Sequence, residues 1–279
     1  MIRLAGLALH PVKSTATRRV RHAEVEPWGL ADDRRWMVIG PDAECLTARE
    51  DRSLLTLVAD TPATDPTLRH GLRLSAPGTG PVEVHTPDTD AVPVTVHGRA
   101  LTGRPAGDHA NAWLRGALGR DDVTLVNVAD PRPLDPRLTL PGEATAFADG
   151  YPVTLASAAS LRRLDDWVTE TALERGEQPA APLAMERFRP NLVVDGDLEP
   201  FEEDHWTRVR VGAVTLRVVK PVDRCVMTTV DPTTRERGPE PIRTLARHRR
   251  WDGATWFAVQ LVPDVRGTIR HGDEVHPER

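Results

Sequence analysis

Cysteine is nearly absent: the 279 residues hold only Cys45 and Cys225, and neither belongs to a CxxC. A disulfide framework, a structural zinc site and a four-cysteine iron–sulfur cluster are therefore excluded within this chain. A basic excess is missing too. The formal net charge is −5, which argues against a general nucleic-acid binder; the one basic run, Arg247 to Arg250, is short and reads as a solvated face or a helix end. Long apolar runs are lacking. The start, "MIRLAGLALHPVKS", is cut short by His10 and Lys13 and has no cleavage site, so it predicts neither a transmembrane helix nor a leader, and the expectation is a cytoplasmic protein that engages no membrane. The ten histidines show no HExxH or other ligand spacing, and no metal is assigned to them. Lysine is the rarest cation. Of 36 basic side chains only Lys13 and Lys220 are lysines, and a lysine offers a compact point charge where arginine offers a planar fork.

What is present is a succession of short strand patterns. "RLAGLALH", "VRHAEVE", "RWMVIG", "ECLTARE" and "LLTLVAD" follow one another between turn residues, and "RWMVIGPDAECLTARE" reads as a hairpin about Gly40-Pro41-Asp42. "GLRLSAP", "PVEVHTP" and "AVPVTVHG" continue at barrel or sandwich spacing. "DHANAWLRGALG" predicts a helix capped by Asp108 and stopped at Gly119. "SAASLRRLDDWVTETALERG" predicts a second, capped by Ser157 or Ser160 and ended at Gly176. Between them the Pro-rich, charged stretch Asp130 to Gly142 reads as a loop or linker. Strands resume at "NLVVDG", "TRVRVGAVTLRVV" and "RCVMTTV", a short helix fits "PEPIRTLARHRR", and "ATWFAVQLVP" with "GTIRHGDEV" closes the chain. The fold class is mainly β with a few helices (α+β), as two barrel-like halves joined near residue 120: domains 1–120 and 121–279.

"KPVDRCVMTTVDP" raises the chemical question, because it sets Cys225 directly after Arg224 and five residues beyond Lys220. Neighbouring positive charge favours the thiolate, the nucleophilic and metal-binding form. From these residues alone two readings stay open: a reactive thiol, or a half-buried strand cysteine. Cys45 reads as a small apolar residue on its hairpin strand.

Four segments stand out together: "HPVKS" (10–14), "GLADDRRWMV" (29–38) with "LTARE" (46–50), "RFRPNLVVDG" (187–196) and "VVKPVDRCVMTTVDP" (218–232). In this order and spacing, with "FEEDHW" and the terminal "GTIRHGDEV", the chain resembles the MOSC family of molybdenum-cofactor proteins. The match is to the form with an N-terminal β-barrel domain followed by a MOSC β-barrel domain, as in the mitochondrial amidoxime-reducing component and YcbX-type proteins. The resemblance implies that Cys225 is the molybdenum ligand and the catalytic residue, a soft thiolate like the cofactor's own dithiolene sulfurs. It implies that Lys13 and Ser14 bind the cofactor's anionic end, that Arg34 does the same, and that Arg189 and Asn191 hydrogen-bond the pterin or its phosphate. Thr47 and Arg49 would line that pocket, and Asp223 and Arg224 flank the ligand. Arg187 reads instead as an ion-pair partner. Adjacent strand residues face opposite ways, so of Arg34 and Arg35 one is expected to point to solvent.

The implied activity is reduction of small N-hydroxylated substrates (amidoximes, hydroxylamines, N-hydroxylated bases) at the molybdenum cofactor. YcbX-type proteins carry a ferredoxin-like domain beyond the MOSC domain; this chain stops at Arg279 without those cysteines. Electrons would then come from a separate protein, a ferredoxin or flavodoxin, or a cytochrome b5-like carrier with its reductase. Many relatives have a second cysteine where this chain has Val222, and Asp223 adds a negative charge. Loops 130–142 and 175–185 are expected to shape the substrate pocket. Two other readings belong to the same family: a sulfur carrier with a persulfide on Cys225, and a carrier of the cofactor without turnover. At the level of the family the resemblance also allows pyridoxal phosphate binding.

Overall fold

The computed structural model describes residues 1–179 and 181–279; residue 180, inside the expected pocket loop 175–185, lies outside the described residues. The chain forms two compact units, residues 8–152, and residues 1–7 with 153–279.

In the unit 8–152 a four-stranded antiparallel sheet runs in the order Trp36–Ile39, Thr124–Val128, Arg99–Pro105, Val92–Val96. Its apolar residues, among them Met37, Ile39, Val94, Val126 and Phe147, close a core that includes Cys45. A three-stranded meander, Val58–Asp60, Leu72–Ala76 and Thr79–Val84, lies in the same unit. Helix α1 spans Asp108–Leu118 and ends at Gly119, whose φ of 64° is the left-handed stop expected there. Gly107, not Asp108, takes the N-cap position; Asp108 is the first helical residue and sets its charge at the positive helix end. The hairpin about Gly40–Asp42 is present, closed by pairing of Ile39 with Cys45. "ECLTARE" is not a strand beyond that bridge and a second one, between Glu44 and Thr95. Thr47 accepts its own turn's backbone N–H groups while Glu50 reaches back to Thr47, a reciprocal cap that starts a turn instead. The stretch 130–142 is a loop except for Arg132–Pro133, which pairs with Ala144–Thr145.

The other unit is a closed seven-stranded barrel. Around its wall run Val153–Ser157, Leu192–Gly196, the first strand's residues Ile2 to Leu7, Glu274–Glu278, Arg208–Val211, Val214–Asp223 and Ala254–Val265, which pairs back to Val153–Ser157. The sequence alternates as a barrel requires: Val153, Leu155, Leu192, Val194, Val209, Val211, Val214 and Leu216 are all fully buried. Gly196 sits where the first strand arrives, at φ 135°, and a Cβ there would meet the Met1 carbonyl at 2.2 Å, so no other residue fits that turn. Helices α2 (Ala158–Glu174) and α3 (Ile242–His248) pack Leu164, Val168 and Leu245 against Phe188, Phe201 and Phe257. Among the described residues no helix is long and apolar enough to cross a membrane.

Ser157 caps α2 as expected, accepting the Ser160 N–H at 3.0 Å. Behind it lies Glu203, fully buried, bonded by the Ser157 N–H and the Ser160 hydroxyl. Burial pushes the Glu203 carboxyl up in spite of these donors. A raised folded value means that the contribution of Glu203 to stability is full at low pH and is lost as pH rises through it. Glu203→Gln keeps one acceptor and donates where the acid does, but does not ionise. We expect the variant's stability relative to wild type to grow from mildly acidic to neutral pH in denaturant melts; a flat difference would mean that the carboxyl does not titrate in the folded state.

Candidate functional site

Within the barrel unit, two of the four sequence segments are locked together. The strand Val214–Asp223 carries three register shifts against Ala254–Val265, at Thr215/Leu216, Val218/Lys220 and Pro221/Asp223. Such bulges bend a strand and re-aim the residues that follow. "RCVMTTV" does not continue the strand. Val226–Thr229 is a 3-10 turn with Cys225 at its N-cap, because the Thr228 hydroxyl folds back to the Cys225 carbonyl (3.0 Å) and the Thr229 hydroxyl to Val226 (2.7 Å). Val222, in the last of these shifts, packs against the aromatic core.

Arg224 turns into the wall. Its Nε donates to the Phe257 carbonyl (2.8 Å), its Nη1 to the Phe188 carbonyl (2.9 Å), and the guanidinium lies 5.5 Å over the Phe188 ring. Arg187 adds a second tie, with Nη1 near the Thr228 carbonyl (3.4 Å) and Nη2 on Asp231 (2.7 Å), so the expected ion pair is there. Asp231 also accepts the N–H groups of Thr233 and Thr234. These bonds bring "RFRPN" against "RC…TTVDP". Arg189 follows Phe188 with φ 49°, in the left-handed region. Asn191 is fully buried, and its side-chain oxygen takes the Thr154 N–H at 3.1 Å while its own N–H goes to the Thr154 carbonyl; it splices the seam between two barrel strands. Asp223 is exposed and accepts the Thr255 N–H at 3.3 Å. Cys225 is a free, exposed thiol.

The unit 8–152 holds the other candidates. Lys13 is buried, with its ammonium on the Phe147 carbonyl (2.9 Å) and on the Asp149 carboxylate. Asp149 lies 136 residues away in sequence, so no spacing signal could have announced it. Desolvation opposes its charge, yet the Lys13 ammonium and His97 beside it hold the Asp149 carboxyl well below the usual range. The Phe147 peptide joins two of the expected residues: its carbonyl takes Lys13 and its N–H goes to the Arg34 carbonyl. Ser14 takes φ 68° in the turn between them. Arg34 pairs with the buried Asp33, and although burial raises a carboxyl, Arg34 and His10 hold Asp33 far below the ordinary value. Thr47 is buried and engaged by its cap; Arg49 is exposed.

Neither Arg34 nor Arg35 points to solvent. The segment is a turn with φ above zero at Asp32 and Arg34, so strand alternation does not apply, and Arg35 is buried on Glu26 (2.6 Å) with its guanidinium 4.5 Å over Trp28. The basic run 247–250 falls at the end of α3 with Arg249 as its C-cap, and Arg249 is not solvated: it pairs with Asp204 and stacks on Phe201.

The two cysteines separate cleanly. Burial pushes the Cys45 thiol up to about 12, whereas Cys225 is open to solvent. In the native protein one thiol per chain should react with a disulfide reagent, assigned to Cys225 by mass spectrometry, with the second appearing only on unfolding. Arg224→Ala leaves two inward carbonyls without their charged donor and should lower stability by about 3 kcal/mol, measured by chemical denaturation. Asp149 predicts an acid dependence. With a folded value below its unfolded one, its contribution is present at neutral pH and lost as pH falls below the ordinary carboxylate range. Asp149→Asn should therefore differ from wild type more at neutral than at acidic pH.

Comparison with known proteins matches the description "MOSC domain" over residues 143–276 and "MOSC N-terminal beta barrel domain" over residues 1–121. The chain is similar to "Mitochondrial amidoxime-reducing component 1" of Homo sapiens, 32% identical over 98% of this chain and 82% of that protein. It is similar to "Mitochondrial amidoxime reducing component 2" of Rattus norvegicus, 30% identical over 96% of this chain and 81% of that one. It also matches "Molybdenum cofactor sulfurase" of Anopheles gambiae, 28% identical over 93% of this chain but 34% of that protein. Relatives at this identity, matched over nearly the whole chain on top of both domain descriptions, establish that the protein belongs to the MOSC family, in its form with the N-terminal β-barrel domain.

Proposed function

We propose that the protein is a molybdenum-cofactor-dependent reductase of small N-hydroxylated compounds that draws its electrons from a separate carrier protein. The single observation that supports this most is Cys225: an exposed thiol at the end of a bulged strand, on a backbone pinned by Arg224, Thr228 and the Arg187–Asp231 pair. The residues fit such a group. Among the described residues no set of three His, Cys, Asp or Glu is grouped to hold a metal ion. A metal at Cys225 would thus depend on donors that come with a cofactor, and one soft thiolate is what the protein adds.

When bound, the cofactor supplies two-electron chemistry that turns N–OH into N–H, with two protons taken up and water released. The chain's own residues do the rest. Cys225 supplies the thiolate, and Arg224 positions it without competing for the ligand, because its guanidinium is held by two carbonyls. In the unit 8–152, Lys13 and Ser14 are assigned to the cofactor's anionic end, the Lys13 ammonium being shared with the Phe147 carbonyl and the Asp149 carboxylate. Arg49 is exposed and free to meet an anion; Arg34, neutralised by Asp33, contributes through its turn. In the barrel unit, Arg189 and Asn191 are assigned to the pterin, and Asn191 acts from the barrel seam.

A second reading has its own support: the match to a molybdenum cofactor sulfurase and an exposed thiol suited to carry a persulfide. Elemental analysis separates the two. Expressed in a host that makes the cofactor, the wild type should hold about one molybdenum per chain, Cys225→Ala should lose it or hold it loosely, and the loaded protein should reduce an amidoxime with a chemical reductant. Well-folded wild type without molybdenum would sink the reductase, and a persulfide on Cys225 would then establish the carrier.

A further inference from the structure

The strand paired with the end of Val214–Asp223, and the hairpin that continues it, carry two indoles that no step above uses. Trp256 stands opposite Asp223 in the register of Val214–Asp223 with Ala254–Val265, and cross-strand partners project to one side. Side chains alternate along extended backbone, and Cys225 is extended at φ −102°, ψ 177°. Arg224 turns inward to Phe257 and Phe188, so Asp223 and Cys225 share the outer side with Trp256.

The hairpin that pairs Arg250–Trp251 with Ala254 and Thr255 then sets Trp251 next to Trp256, with ring centroids 6.0 Å apart. The Trp256 Nε1 donates to the Trp251 carbonyl at 3.0 Å. That bond satisfies the one polar atom of the indole and leaves its surface for apolar contact. Trp251 is 40% exposed, so part of its indole is open to solvent. It is nevertheless held: Arg249 lies 4.7 Å over its ring, stacks on Phe201 at 4.2 Å and pairs with Asp204. Val226, directly after the thiol, is exposed as well. The two rings are tilted 34° to each other, and the open face of Trp251, held in place beside the strand end that leads to Cys225, can receive a planar ligand at little entropic cost.

We infer that Trp251 and Trp256 form an aromatic shelf that takes the planar ring of an aryl or heteroaryl substrate and leaves its N-hydroxylated group toward Cys225. This deepens the reductase reading and rests on it. An aliphatic substrate has no ring to lay on the shelf, so the two substrate classes should separate in KM and not in kcat.

The test compares molybdenum-loaded wild type, Trp251→Ala and Trp251→Phe on benzamidoxime and acetamidoxime. Trp251→Ala should raise KM for benzamidoxime about fivefold, the loss of one aromatic pair, with kcat nearly unchanged and acetamidoxime affected less than about twofold. Trp251→Phe, which keeps a ring, should recover most of the loss. Equal effects on both substrates, or none on either, would overturn the shelf. A titration with benzamidine followed by tryptophan fluorescence, without reductant, keeps the two proposals apart. If the wild type reduces neither amidoxime, the reductase reading has failed; quenching that Trp251→Ala abolishes would still support the shelf, and no quenching in the wild type would remove it.

Discussion

The Arg224 guanidinium is the contact on which the arrangement around Cys225 depends. It reaches the carbonyl of Phe257 on one barrel strand and that of Phe188 in the segment before another, so three stretches far apart in sequence meet at one planar fork. Arginine suits the task because its donors diverge in a fixed plane and its charge persists at any physiological pH. With that side chain drawn inward, its neighbours on either side are left outward. The exposure of Cys225 is thus a consequence of where Arg224 goes. The bulges upstream and the threonine-closed turn downstream complete the same effect: they end the strand at Asp223 and stop the thiol from entering the wall.

A second constraint is the pairing of cations taken out of water. Lys13 has Asp149, Arg34 has Asp33, Arg187 has Asp231 and Arg249 has Asp204, each with a half-buried or buried guanidinium or ammonium. Losing the acid would strand the cation in a poorly solvated place, which is the costly outcome for a buried charge. The rarity of lysine gains a local reason here. The Lys13 ammonium converges on one carbonyl and one carboxylate, a geometry for a compact charge and not for a planar fork.

Chemistry and packing share the same elements on the barrel side. Phe188 and Phe257, whose carbonyls hold Arg224, stack their rings 4.0 Å apart in the core. Phe201, next in that core, backs the Arg249 that supports Trp251. The outer surface beside the thiol is therefore rigid because the core behind it is aromatic and close-packed.

By itself the sequence determined the β-rich class, the three helices and the caps of two of them, since these follow from local periodicity, from Ser157 at one helix start and from Gly119 at another helix end. It determined the family as well, through four short segments whose order no single element would reveal. Tertiary structure alone decided the rest. That residues 2 to 7 enter a barrel formed otherwise by residues 153 to 279, that Asp149 meets Lys13, that Arg224 turns inward and that Trp256 pairs with Asp223 are all contacts across large sequence separations, which no periodicity encodes. Two local patterns misled for a physical reason. "RCVMTTV" and "ECLTARE" have strand-like composition, but threonine and glutamate side chains bond to nearby backbone and close turns instead, and that competition is settled only by what the surrounding fold leaves free.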